Sequence, residues 1–139
     1  MAVTYFTVEQ ANNTLPLVKR IVADVLEDYG VWRDLMRQFE LLSSGATDES
    51  GESEEQIALR GQVDTAAHRI NACMDELAQI GCVFKGFEQG LVDFHSKRDN
   101  RDVFLCWKHG EPAVEHWHEV EGGFDGRQPV ESESLREDG

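Results

Sequence analysis

Two histidines separated by one residue are the clearest chemical signal in the chain. His116 and His118 flank Trp117 in a segment whose pattern predicts a β-strand. Because side chains alternate across a strand, both imidazoles would lie on one face, as a two-histidine metal site requires. One hypothesis is therefore a divalent metal bound by His116 and His118. A third ligand would come from one of four residues: Asp93, His95, Cys106 or His109. The alternative is a surface or hydrogen-bonded histidine pair beside Trp107.

Cys106 lies on the strand before the two histidines. The register between these two strands decides whether Cys106 can join the histidines. An even loop between the two strands would pair Leu105 with His116, which projects Cys106 onto the opposite face. An odd loop, or a β-bulge, would bring Cys106 across to the histidine face. The sequence favours the even loop and leaves the odd one open.

A second group of side chains is ionic and lies in or beside the turns of the predicted sheet. Its members are Arg98, Asp99, Arg101, Glu111, Glu119 and Arg127. One interpretation is a salt-bridge network that ties the glycine-rich segment 122–129 to the sheet. The other is an anion pocket for a carboxylate or phosphate, with Arg98 and Arg127 as clamps and His118 transferring a proton. No nucleophile elbow, Walker motif or dinucleotide fingerprint supports catalysis, so enzymatic activity stays uncertain.

Short strands must position these side chains. Alternating apolar residues predict three to four antiparallel strands within 82–120, separated by turn-forming stretches. Trp107 and Trp117 are the expected core aromatics of this sheet. Segment 122–129 lacks apolar alternation and is predicted to be a loop.

Two long helices precede the sheet, over about 8–42 and 54–80. Apolar residues recur at alternating spacings of three and four in the first helix: Leu15, Val18, Val22, Val25, Tyr29, Trp32, Met36 and Phe39. The same spacing recurs in the second: Gln56, Leu59, Val63, Ala66, Ile70, Cys73, Leu77 and Ile80. These heptad seams predict a coiled-coil-like antiparallel hairpin, so the fold class is α+β. Pro16 suggests that a short opening turn gives way to a new helix start near Asn13 or Thr14.

The hairpin alone cannot bury all of its apolar residues. Ile21, Leu26 and Leu35 widen the first stripe beyond the seam, so a further surface must cover them. We expect that surface to be the C-terminal segment or a second copy of the chain, which predicts a homodimer.

Composition and charge limit the partners and the cellular compartment that we expect for the chain. The 139 residues carry 13 basic and 27 acidic side chains, a net charge of −14. Segment 43–55 is predicted to be an acidic mobile loop and 131–139 a disordered acidic tail, leaving a single domain over 1–130. The negative charge argues against nucleic acid, and no apolar stretch could span a membrane. Three cysteines without paired spacing fit a reducing, cytoplasmic setting.

Several short segments together carry a family resemblance. They are Gly90-Leu91-Val92-Asp93-Phe94, Leu105-Cys106-Trp107, Gly110-Glu111, Trp117-His118 and Gly126-Arg127-Gln128-Pro129. Over about residues 6–130 the chain resembles bacterial proteins of the domain of unknown function 2203. The resemblance implies a cytoplasmic bacterial protein and brings no established activity. It includes His118 but not His95, His109 or His116. It therefore favours a ligand-binding group or structural network formed by His118, Glu119, Asp93, Arg98, Glu111 and Arg127.

Two functions follow as expectations. The first is a non-enzymatic binding or assembly module, whose helical hairpin meets a protein partner or a second copy of the chain. The alternative is a small-anion or divalent-metal binding protein, or an enzyme, with its site around His118, Arg98 and Arg127.

Overall fold

The computed structural model describes residues 3–44 and 51–130. Its elements are α1 (Val8–Ser44), α2 (Glu54–Ile80), β1 (Cys82–Gly86), β2 (Leu91–Arg98), β3 (Arg101–Lys108), β4 (His116–Glu119) and β5 (Gln128–Pro129). A 3-10 helix at Phe124–Gly126 lies between β4 and β5. The α+β architecture, a helical hairpin followed by an antiparallel sheet, is confirmed. Positions 45–50 of the predicted acidic loop and all of the predicted tail 131–139 lie outside the described residues.

Helix α1 begins at a capping box and runs through its proline. The Thr7 hydroxyl accepts from the Gln10 backbone N–H, and the Gln10 side chain accepts from the Thr7 N–H. The expectation of a new start near Asn13 or Thr14 is wrong, because α1 is continuous across Pro16. Residues on both sides of the proline, including Ala11 and Val18, are fully buried. Their packing outweighs the hydrogen bond that the proline removes.

Helix α2 has well-defined ends. Ser53 and Gln56 form a reciprocal capping box at its start. Gly81 ends it with φ of 109°, a left-handed conformation that suits glycine. A side chain at Gly81 would also crowd the Phe6 ring, 3.3 Å from the position of a Cβ atom. The chain therefore turns sharply from α2 into β1.

The sheet is antiparallel, with its strands in the order β1-β2-β3-β4-β5. It has five strands, so the prediction of three to four is wrong. The additional strand pairs Gln128 with Trp117 and Pro129 with His116, within the segment predicted to be a loop. A two-residue edge strand that ends in proline has too few positions to show alternation.

The two faces of the sheet differ in what covers them. The hairpin face packs against α1 and α2, and its buried side chains include Val92, Phe94, Leu105, Trp107 and Trp117. Both tryptophans are therefore core residues, as predicted. Alternation along β2, β3 and β4 places Asp93, Cys106 and His118 on the opposite face, which we call the outer face.

The hairpin extends well beyond the sheet. Its base is buried, with Val18, Val22 and Val25 fully enclosed. Towards the other end Val31, Leu41 and Ile57 are 45%, 68% and 52% exposed. We call the part of the hairpin formed by residues 31–44 and 54–66 the tip. Neither helix, over the residues described, combines the length and apolarity needed to cross a bilayer.

Candidate metal centre

The register between β3 and β4 brings Cys106 onto the same face as His118. Cys106 pairs with His116, and Phe104 pairs with His118. Directly opposed residues of antiparallel strands share a face. The expected pairing of Leu105 with His116 is therefore wrong, and the odd-loop alternative holds.

Contacts around the β3–β4 connection hold this register. The Glu111 side chain accepts from the Lys108 backbone N–H at 2.7 Å, and the Glu111 carbonyl accepts from the Trp107 indole at 3.0 Å. Gly110 has φ of 101°, which permits the tight turn between them. The Asn12 side chain of α1 then accepts from the Val114 N–H at 2.7 Å. The register of this hairpin therefore depends in part on a hydrogen bond with a helix residue about a hundred positions away in sequence.

Asp93, Cys106 and His118 form a compact buried cluster. Their ligand atoms all lie within 4.8 Å of one another. His118 Nε2 is 3.2 Å from each carboxylate oxygen of Asp93. Asp93 is 3% exposed, Cys106 1% and His118 2%. We call this group the Asp-Cys-His cluster.

Local hydrogen bonding orients the His118 ring. Its Nδ1 lies 2.7 Å from the Glu119 carbonyl oxygen, which can only accept, so Nδ1 carries a proton. In a neutral ring, Nε2 would then present a lone pair to the Asp93 carboxylate. That contact is repulsive unless a proton or a metal ion lies between the two groups. Metal-binding histidines are oriented in the same way, by donation from the other ring nitrogen.

The Cys106 thiol is held in its protonated form. Burial raises its pKa to about 12, and the negative charge of Asp93 adds to this effect. The thiol also donates a hydrogen bond to the Asp93 carboxylate. Without a metal ion, Cys106 is consequently a poor nucleophile at neutral pH. A bound cation would displace the proton and stabilise the thiolate.

A cavity of about 220 Å³ adjoins the cluster on the outer face. The segment after β4 covers it through Val120, Gly123 and Phe124. Phe124 is held by two cations, with the Lys108 ammonium 5.6 Å and the Arg127 guanidinium 4.8 Å from its ring centre.

Lys85 supplies the cationic side of the cavity. It projects from β1, with its Nζ 3.7 Å from an Asp93 carboxylate oxygen and 5.1 Å from the centre of the Phe104 ring. The sequence reasoning did not single out Lys85 or Phe124. The only sequence feature that could have indicated Lys85 is its spacing of two residues from Val83, which places both side chains on the same face of a strand.

His116 belongs to a different cluster from His118. Arg127 donates to His116 Nδ1 and to a Glu111 carboxylate oxygen, each at 2.5 Å. Glu111 and Arg127, two residues of the predicted ligand group, are therefore joined in a salt bridge with His116 beside them. The Arg127 guanidinium is hydrogen-bonded to the His116 nitrogen, and the His116 ring is not part of the Asp-Cys-His cluster.

The side chains of the remaining residues of the predicted ligand group, Arg98 and Glu119, have other partners. Glu119 pairs with Arg101 at 2.7 Å on the partly exposed edge. The Arg98 guanidinium stacks 4.6 Å from the centre of the Trp117 ring. Of the six residues favoured by the resemblance, Asp93 and His118 come together, and Glu111 and Arg127 come together. Glu119 contacts His118 only through its backbone carbonyl, and Arg98 lies against Trp117.

The donor set of the Asp-Cys-His cluster fits a transition metal. Ligand atoms of a tetrahedral zinc site lie about 3.3 to 3.6 Å apart at ordinary bond lengths. The 3.2 Å separations between His118 and Asp93 already approach this spacing. A thiolate with an imidazole favours zinc, cobalt or iron over magnesium or calcium, which prefer oxygen ligands.

Comparisons with known proteins give one finding. A family described as "Uncharacterized conserved protein (DUF2203)" matches residues 4–130. No curated protein and no solved structure matches the chain. Since the family match covers nearly the whole chain, including both clusters of the outer face, the protein belongs to the DUF2203 family.

Proposed function

We propose that the protein binds one divalent transition metal ion through Asp93, Cys106 and His118. The observation that carries the proposal is the burial of these three donor types together, within 4.8 Å, beside a cavity. The orientation of His118 by the Glu119 carbonyl supports it further. Unlike the predicted His116–His118 pair, this donor set uses one histidine of the two.

The competing state places a proton between His118 and Asp93. In that state an imidazolium pairs with the carboxylate and the thiol donates to it, so the cluster is a structural network. Both states satisfy the hydrogen-bonding groups, and they differ in whether metal can replace the protons. A metal titration therefore separates them.

Cobalt is the most informative probe because its bond to a thiolate gives a sulfur-to-cobalt charge-transfer absorption band. We expect the untagged full chain to bind one Co²⁺ with this band, and zinc to displace it. Cys106→Ser should abolish the band. Cys73→Ser is the matched control, since Cys73 is a free cysteine outside the cluster.

A second control tests the choice of histidine. His116→Ala should retain cobalt binding, whereas His118→Gln should lose it. Cobalt binding without the charge-transfer band, or loss of binding in His116→Ala, would contradict the Asp-Cys-His cluster. An absence of stoichiometric binding would leave the protonated network as the function of the cluster.

We also propose, as a second candidate, that the hairpin tip associates with a second copy of the chain. The supporting observation is a groove of about 450 Å³ between α1 and α2, lined by Val31, Leu35, Ala58, Gly61 and Ala66. Its small residues permit close approach of another helix, and exposed apolar side chains flank it. The heptad spacing of both helices suits a four-helix arrangement.

Light scattering tests this assembly directly. We expect a dimer whose affinity increases with salt, because each chain carries a net charge of −14. Val31→Asp should yield the monomer. Leu17→Asp is the matched control, since Leu17 lies two heptads earlier on α1 and is 44% exposed against 45% for Val31. A monomer in the unmodified protein, or equal dissociation by both variants, would contradict the proposal.

A reducing compartment suits these thiols. Cys73, Cys82 and Cys106 are all free, and burial raises the pKa of Cys82 to about 11. We accordingly infer a cytoplasmic protein, in which reduced cysteines persist.

A further inference from the structure

The cavity beside the Asp-Cys-His cluster has the properties of a site for a second ligand. It is lined by a lysine, a glycine and three apolar side chains as well as the cluster. At roughly 30 Å³ for each water-sized group, its volume of about 220 Å³ admits about seven such groups. This is below the size of most drug-like ligand pockets, so only a small molecule fits.

Three protein ligands are typical of metal sites that take an exogenous fourth ligand. Closed structural zinc sites, by contrast, have four protein ligands. The three donors here lie on one side of the cavity, where His118 and Asp93 line it together with Cys106. A metal held by them would therefore complete its coordination from the cavity.

The charges favour an anion in that position. The two charges of a divalent ion would be matched by the Asp93 carboxylate and the Cys106 thiolate. Lys85 then adds an unmatched positive charge at the cavity wall, 3.7 Å from Asp93. Lys108 and Arg127 lie behind the Phe124 wall, with Glu111 paired to Arg127. With a divalent ion bound, the residues that line the cavity would thus leave one net positive charge, in a strongly acidic protein.

We infer that this cavity binds a small oxyanion, a carboxylate or a phosphate, between the metal ion and Lys85. The inference rests on the proposed metal site. Lys85 would donate to one oxygen of the anion while another oxygen binds the metal. This assigns a role to Lys85 that differs from the clamps predicted at Arg98 and Arg127.

The cobalt-loaded full chain tests the inference, because the visible bands of Co²⁺ change when its ligands change. We expect inorganic phosphate or acetate to shift these bands saturably, and chloride at equal ionic strength to leave them unaltered. Lys85→Met should weaken the oxyanion response about tenfold, the loss typical of one hydrogen bond to a charged group. Lys97→Met is the matched control, because Lys97 pairs with Asp102 away from the cavity.

The outcomes separate the two proposals. Unchanged bands in the presence of both oxyanions, or a full response in Lys85→Met, would overturn the anion site while leaving the metal site intact. An equal response to chloride would overturn its selectivity for oxyanions. A chain that binds no cobalt would overturn the metal site and the anion site together.

Discussion

The two faces of the sheet bury side chains to similar degrees but for different reasons. On the hairpin face, Trp107 and Phe94 are enclosed by apolar side chains of the two helices. On the outer face, Asp93 and His118 are equally enclosed, although each is polar. Burial of the first kind stabilises the fold, whereas burial of the second kind carries a desolvation cost that hydrogen bonds must offset. The outer face therefore carries a cost in stability that the proposed metal site would explain.

The largest effect should come from truncation on the hairpin face. Trp107→Ala removes a fully buried ring and its hydrogen bond to Glu111, so we expect it to lower the free energy of unfolding by about 3 to 5 kcal/mol. Phe104→Ala, which removes a half-buried ring from the outer face, should cost about 1 to 2 kcal/mol. Urea denaturation measures both. Equal losses would mean that the two faces do not differ as described.

Zinc should stabilise the protein through the outer face alone. At a free concentration of 100 times its dissociation constant, zinc should raise the free energy of unfolding by about 2.7 kcal/mol. Asp93→Asn should remove this gain yet keep the metal-free stability within about 1 kcal/mol, because the new amide can donate to His118 Nε2. Thermal unfolding with and without zinc measures both quantities. Undiminished stabilisation of Asp93→Asn by zinc would contradict the assignment.

The two buried thiols, one on each face, should make stability fall at alkaline pH. Their pKa values rise from 9.0 to about 11 for Cys82 and to about 12 for Cys106. Below pH 9 both thiols are protonated in the folded and unfolded chains, so they contribute no pH dependence. Above it only the unfolded chain ionises, and stability falls by on the order of 1 kcal/mol per pH unit per thiol. Urea denaturation of Cys82→Ala and Cys106→Ala should show about half of the thiol-dependent slope in each. An unaltered slope in both would show that the thiols are not its cause.

The smallest effect on stability should come from the cover of the cavity. Phe124→Ala removes a partly exposed ring that lies outside the core, so the free energy of unfolding should change by less than about 1 kcal/mol. Removal of bound cobalt by a chelator should nevertheless become several-fold faster, because the ring no longer shields the cluster. Stopped-flow absorbance follows the release. An unchanged rate would show that Phe124 does not control access.

The sequence predicts much of the hairpin because heptad spacing is a local property. It does not reveal what covers each seam: Val22 and Val25 are buried by the sheet, while Trp32 and Phe39 on the same seam are only half-buried. The interruption expected at Pro16 was wrong for a related reason, since packing on both sides of it is a tertiary effect.

The candidate site shows even more clearly that sequence patterns do not reveal tertiary contacts. Strand alternation identified His118 as a candidate, residue type made Asp93 one of four possible further ligands, and the family resemblance favoured both. The sequence favoured the wrong face for Cys106 because the loop parity depends in part on Asn12 of α1, whose contact with Val114 cannot be inferred from the hairpin's own residues. A single change of register moves every side chain of a strand to the other face. Lys85 was missed because an exposed lysine on a short strand has no distinctive pattern.

Anomalous diffraction from crystals grown with zinc would test the metal site most directly. The account predicts one strong zinc peak on the outer face, about 2.0 to 2.3 Å from Asp93, Cys106 Sγ and His118 Nε2. A zinc peak bound by His116 instead, or peaks confined to surface residues with none at the Asp-Cys-His cluster, would contradict it.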